Sequence, residues 1–214
     1  MPFTYLFQAQ ALLAGTNIYW GAQNASQFEY GAHTSSISAN MIAEFGSKFV
    51  ITGHSERRTL SNESNQKAAR RIARVVEAGL TPIYCVGETL EEHTTGLSEN
   101  VVKNQILAIT HGLDDDVFER AKKVDLVIAY EPVWAIGTGK VATPEIAESM
   151  HSFIRNTVKK LYNDTVAQTI PVLYGGSVKP DNIAGLYAMP NIDGVLVGGA
   201  SLTVQSFLDI INVA

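Results

Sequence analysis

The chain has 214 residues, 46% hydrophobic and 17% charged, which is ordinary globular usage: long enough for one domain with a sizeable core and far from a disordered composition. Its 16 basic and 21 acidic side chains leave a formal charge of −5 with neither sign in a block, so a nucleic acid or an anionic membrane is excluded as a partner. One cysteine, Cys85, excludes an internal disulfide framework, and no stretch reads as a leader or a membrane span, so a cytoplasmic protein is expected.

In chain order, short apolar runs that end in glycine or a polar residue alternate with longer stretches of helical spacing. The first predicted strand is Asn17 to Gln23. The second, Phe49 to Gly53, is followed by His54, and a helix is predicted from Asn62 to Glu77 with Ala68, Ile72 and Val75 inward. A third strand, Thr81 to Val86, contains Cys85, read as a packed core thiol, and precedes a helix from Ser98 to about Ile109. The fourth strand, Leu126 to Tyr130, ends at Glu131. Thr143 then caps a helix with Pro144 at its first position, where a missing N–H costs nothing; Ile146, Met150, Phe153, Ile154, Thr157 and Leu161 share one face. Strand five, Ile170 to Tyr174, ends in Gly175-Gly176-Ser177, and strand six, Gly194 to Val197, ends in Gly198-Gly199 before a last helix from Val204 to Ile211. Such alternation predicts α/β architecture with six parallel strands, and no linker divides it, so residues 1–214 are expected to form a single domain.

The informative polar residues all follow strand C-termini, which in a parallel β/α barrel converge on one catalytic face. Glycine pairs after the last two strands let backbone N–H groups approach an anion, though either pair alone could simply make a tight turn. Glu131 and His54 are candidates for proton abstraction from carbon and for carbonyl polarisation, the chemistry of enolisation; singly, each could be an ordinary capping or solvated group. Pro132 to Lys140 has a stiff start, a bulky apolar middle and a glycine-rich end, as a hinged lid would, or a partly buried surface loop. The other histidines show no metal-ligand spacing, and Glu63, Glu91 and Glu92 are read as a solvated face.

Five segments together resemble the triosephosphate isomerase family: Gly53-His54-Ser55-Glu56-Arg57-Arg58, Cys85-Val86-Gly87-Glu88-Thr89, Ala129 to Gly139, Tyr174-Gly175-Gly176-Ser177-Val178 and Leu196 to Leu202. The resemblance implies interconversion of dihydroxyacetone phosphate and D-glyceraldehyde 3-phosphate in glycolysis and gluconeogenesis, with no cofactor and no metal. It implies Glu131 as general base, His54 as electrophile and Glu56 as a buried supporting carboxylate. Gly137, Ser177, Gly198 and Gly199 would hold the phosphate, and Tyr174 and Ser177 would steady a lid of Pro132, Val133, Trp134, Ala135, Ile136, Thr138, Gly139 and Lys140. A homo-oligomer is expected, either through a loop carrying Thr34 or by association of strand edges.

The family's Asn-Trp-Lys-Met-Asn motif does not occur in the sequence. The expectation is therefore a TIM (β/α)8-type barrel lacking its first two strands and first helix, incomplete or rearranged, with impaired activity or with phospho-ligand binding alone. Loss of the family's Gly-Glu at Ser35-Ser36 is expected to leave Arg57 without its usual acidic partner, and Lys179, a nearby basic residue that could partly replace the missing lysine, is read as an exposed lysine on a turn.

Overall fold

The computed structural model describes residues 1–112, 126–138 and 141–213, with side chains for 1–109 of the first stretch. They group into two compact units, Met1–Cys85 with Leu107–Val127, and Val86–Ile106 with Ile128–Ala214.

In the first unit a short 3-10 turn, Phe3–Tyr5, leads into α1 (Leu6–Leu13), followed by β1 (Gly21–Ala22), α2 (Ala39–Glu44), β2 (Phe49–Thr52), α3 (Ser55–Ser61), α4 (Asn65–Glu77) and β3 (Thr81–Val86). The strands pair in parallel, Ala22 opposite Val50 and Thr52 opposite Tyr84. Serines start two of the helices: the Ser38 hydroxyl accepts the Met41 N–H and that of Ser64 accepts the Lys67 N–H, satisfying donors a helix start otherwise leaves bare. As the periodicity predicts, α4 buries Ala68, Ile72 and Val75, here joined by Ala69, Ala73 and Val76. Leu6, Ala22, Ile42, Val50, Val75 and Leu80 form the core, with Trp20 and Phe45 packed against it.

β1 is much shorter than the predicted Asn17 to Gln23. Gly21 lies so close to β2 that a Cβ there would sit 2.1 Å from the Phe49 carbonyl oxygen, while Trp20 sends its indole N–H to the Phe45 carbonyl and Ile18 and Tyr19 stay exposed. The pairing is therefore confined to the two residues whose backbone approaches β2.

The second unit holds α5 (Leu90–Thr94), most of α6 (Ser98–Gly112), β4 (Val127–Tyr130), α7 (Pro144–Leu161), α8 (Asp164–Thr169), β5 (Val172–Tyr174), α9 (Ile183–Tyr187), β6 (Gly194–Val195) and α10 (Val204–Ile211). Here too the pairing is parallel, Tyr130 opposite Tyr174 and Leu173 opposite Gly194. β4 is buried along its whole length, as expected of a strand covered on both faces.

Thr143 caps α7 through the Ile146 N–H, with Pro144 in the first turn as predicted. The buried face is rolled relative to the expectation: Ala147, Met150, His151, Ile154, Thr157 and Val158 are inside, and Ile146 is exposed. Polar anchors set that rotation. His151 meets the Asn191 carbonyl through Nδ1, and Arg155 donates to the Ala167 and Ile170 carbonyls and to Asp193. Among the described residues no helix is long and apolar enough to cross a membrane.

Candidate active-site residues

Glu131 follows β4 in the second unit and is 2% exposed. Its N–H donates to the Val86 carbonyl at 2.7 Å, carrying the strand register past the end of β4. Two glycines make room for it. A Cβ on Gly87 would lie 1.7 Å from the Glu131 carbonyl oxygen, and one on Gly175 would lie 3.0 Å from its Cγ. The Gly175 N–H donates to the Tyr130 carbonyl at 2.7 Å, so β5 holds its bare backbone against the carboxylate stem. The side chain is thus buried, with Gly87 packed against its backbone and Gly175 against its Cγ.

Beyond Glu131 the chain makes a 3-10 turn, Val133–Ala135, tied back by the Val133 N–H to the Glu88 carbonyl. The buried Trp134 donates its indole N–H to Glu88 Oε1 at 2.7 Å, and the Tyr130 hydroxyl donates to the same oxygen at 3.1 Å. Burial and the adjacent Glu88 carboxylate push the Tyr130 phenol far above its ordinary range, so it stays a donor. His93, on α5, stacks on the Trp134 indole with ring centres 4.4 Å apart. Of the expected lid, Pro132 and Ala135 are buried, Val133 and Ile136 half-buried, and Gly137 and Thr138 exposed; Gly139 and Lys140 lie outside the described residues. Gly137 has φ +69°, a conformation that favours glycine, and the Thr138 hydroxyl donates to the Trp134 carbonyl at 2.6 Å.

The expected phosphate ligands of this unit sit on two loops. After β5, Gly176 gives way to the Tyr174 hydroxyl, which a Cβ would approach to 2.2 Å. Tyr174 is fully buried, its hydroxyl has no hydrogen-bond partner among the described residues, and burial pushes its pKa up to about 12. Half-buried Ser177 is held by the Asn182 amide, which donates to its carbonyl while accepting the Lys179 N–H. Lys179 itself is exposed. After β6, Gly198 and Gly199 lead into the 3-10 turn Gly199–Leu202, and a Cβ at either would meet only open space. Neither glycine is required by packing, which leaves room at both for a bulky anion.

In the first unit His54 caps α3, its Nδ1 accepting the Glu56 N–H at 3.3 Å. With Nδ1 used as acceptor, a neutral ring carries its proton on Nε2. Gly53, at φ +69°, packs on Tyr84, and Arg58 locks the turn by donating to the Gly53 carbonyl, to Asn65, to the Tyr84 hydroxyl and to the Cys85 carbonyl. Cys85 is fully buried, as expected of a core thiol.

Two carboxylates depart from expectation. Glu56 is not buried: its side chain is 76% exposed, because the first turn of α3 that caps onto His54 directs it outward. Glu63 is not solvated: it is buried between Arg57 at 3.3 Å and Arg71 at 3.1 Å, so Arg57 has an acidic partner within its own chain. Thr34 is exposed in a loop braced by stacking of Phe28 on His33 at 3.9 Å.

Sequence reasoning missed Glu88, His151 and Arg58 as organising residues. Glu88 carried the one available signal, a carboxylate two residues past the end of β3 and immediately before a Thr89–Glu92 capping box. Among the described residues no group of three or more His, Cys, Asp or Glu side chains could hold a metal ion.

The model of one family, triosephosphate isomerase, matches residues 1–214. Similar proteins include the triosephosphate isomerases of Ralstonia nicotianae, 48% identical over 98% of this chain and 82% of the relative, and of Thiobacillus denitrificans, 48% identical over 100% and 84%. That of Nitrosomonas eutropha is 46% identical over 98% of this chain and 81% of its own length. Identity of this order along nearly the whole chain makes the chain an enzyme of the isomerase class and a member of the triosephosphate isomerase family.

Proposed function

We propose that the chain interconverts dihydroxyacetone phosphate and D-glyceraldehyde 3-phosphate in the cytoplasm, as one catalytic domain. The observation that carries this reading is Glu131, buried at the end of β4 with bare glycines on both sides. Its carboxylate removes the proton from the carbon beside the carbonyl, and the His54 Nε2–H stabilises the oxygen on which charge develops, then moves a proton between the two oxygens. A glutamate base working with a neutral histidine is this family's own described chemistry. Backbone groups of Gly137, Ser177, Gly198 and Gly199 hold the phosphate. The segment from Pro132 to Thr138 excludes water while the enediolate exists, which suppresses phosphate elimination.

Residues 1–214 contain no Asn-Trp-Lys-Met-Asn segment, so the cation that such a lysine places beside the phosphate is not among them. A fixed charge in a water-poor site is worth several kcal/mol, so turnover by these residues alone is expected to be lower by roughly 10²-fold or more. That reading treats the fold as a TIM-type barrel without its first two strands. Exposed Thr34, with the family resemblance of its loop, supports a homo-oligomer, which light scattering checks.

A coupled isomerase assay on the purified chain, with Glu131→Gln beside it, tests the proposal. Turnover that the substitution abolishes supports it. A rate indifferent to the substitution, or no rate but a thermal shift with a phosphorylated enediolate mimic, replaces it with phospho-ligand binding alone.

A further inference from the structure

Gln105 occupies a place on α6 that helical spacing reserves for an apolar side chain. Val102 and Ile106 lie on the same face and are buried, and Gln105 itself is only 6% exposed. A buried carboxamide needs partners for its oxygen and its nitrogen. It finds both on one residue: the Gly87 N–H donates to Gln105 Oε1 at 2.7 Å, and Gln105 Nε2 donates to the Gly87 carbonyl at 2.9 Å. One orientation of the amide satisfies both bonds, so the pair fixes it. Gln105 thereby exchanges with Gly87 the two bonds that a residue of an adjoining strand would exchange.

Gly87 is also the residue backed against the candidate base. A Cβ there would lie 1.7 Å from the Glu131 carbonyl oxygen and 3.2 Å from its Cα, so the close approach requires glycine. On either side of it the Val86 carbonyl accepts the Glu131 N–H at 2.7 Å, and the Glu88 carbonyl accepts the Val133 N–H at 3.1 Å. Glycine brings a cost to this position, because it is the residue least restrained in φ and ψ. We propose that Gln105 is a positioning residue for Glu131: its carboxamide removes the freedom of Gly87, and the 86–88 backbone so held sets where the main chain carrying the carboxylate stands. Gln105 acts through Gly87 and takes no part in proton transfer.

This inference rests on Glu131 as the base, so it is read both with and without turnover. Four chains are compared: wild type; Gln105→Met, which keeps the length and loses both bonds; Gln105→Glu, which keeps an acceptor for the Gly87 N–H and offers its carbonyl no donor; and Val102→Ala, which removes buried volume from the same helix face and leaves Gln105 in place. For each, kcat, KM, the melting temperature and the affinities for a phosphorylated enediolate mimic and for inorganic phosphate are measured. Both Gln105 variants are expected to lose roughly 10-fold in kcat with KM kept within twofold, the effect of displacing the base by about half an ångström. Their affinity for the mimic is expected to fall by a similar factor while that for inorganic phosphate holds. Val102→Ala is expected to melt earlier and to keep its kcat. If Gln105→Met does not fold, Gln105→Glu carries the test. A folded Gln105 variant with wild-type kcat overturns the proposal, and so does a Val102→Ala chain that loses kcat by the same factor, since the effect would then be one of stability. If wild type and Glu131→Gln turn over alike, or neither turns over, the isomerase reading fails and the mimic-to-phosphate affinity ratio decides the role of Gln105: a ratio lowered in its variants supports the hold on Glu131, and an unchanged ratio overturns it.

Discussion

Gly175→Ala probes how tightly the base is held. The added Cβ would lie 3.0 Å from Glu131 Cγ and 3.3 Å from the Tyr130 carbonyl oxygen, against an ordinary contact of about 3.4–4 Å, so something must move by roughly half an ångström. The Gly175 backbone is fixed by its 2.7 Å bond to that same carbonyl, and the Glu131 main chain by its bond to Val86, so the Glu131 side chain is the part that gives way. A 1 Å misplacement of a catalytic group costs about 10²-fold, so about 10-fold in kcat is expected here, with KM changed less than twofold. The overpacking itself should remove about 1 kcal/mol of stability. Steady-state kinetics beside a melting curve separates the two effects, with Glu131→Gln as the zero. An unchanged kcat in a folded Gly175→Ala chain would refute the idea that β5 sets the direction of the carboxylate.

Gly198→Ala should do the reverse: its Cβ points into open space, so the melting temperature is expected to stay within a degree or two, while affinity for the triose phosphate or inorganic phosphate falls by roughly 10-fold, measured as KM and by calorimetry. His151 sets an acid limit: burial pushes its pKa down to about 4 from an ordinary 6.5, so the unfolded chain takes up a proton that the folded one refuses. Its contribution is intact above about pH 6.5 and is lost as pH falls toward 4, totalling roughly 3 kcal/mol; urea unfolding from pH 7 to 4.5 should show a slope that His151→Phe lacks.

How much of this was legible from sequence depends on the range of the interaction. The third strand was readable to the residue, Thr81 to Val86, because its run is apolar and its ends are marked. The start of α7 was equally plain, since Thr143 and Pro144 act on their own turn. Its buried face was not, because the rotation is decided by Asn191, Ala167 and Asp193, far along the chain. Glu63 failed for the same reason: flanked by Asn62 and Ser64 it reads as solvated, and nothing local announces that Arg57 and Arg71 meet at its carboxylate. The position of Glu131 and the glycine pairs after strands was legible because strand ends can be located without knowing what lies opposite. Glu88 needed knowledge of Tyr130 and Trp134, more than forty residues away. The short helices α1, α2, α3, α5, α8 and α9 carry too few turns for periodicity to speak.

The seclusion of Cys85 has a practical use. Its thiol is sealed from solvent, so the native chain already resembles a cysteine-free background for maleimide chemistry. A dye attached to a cysteine introduced at Leu202, beside the open Gly198-Gly199 backbone, would report anion arrival at that loop with no second label to subtract.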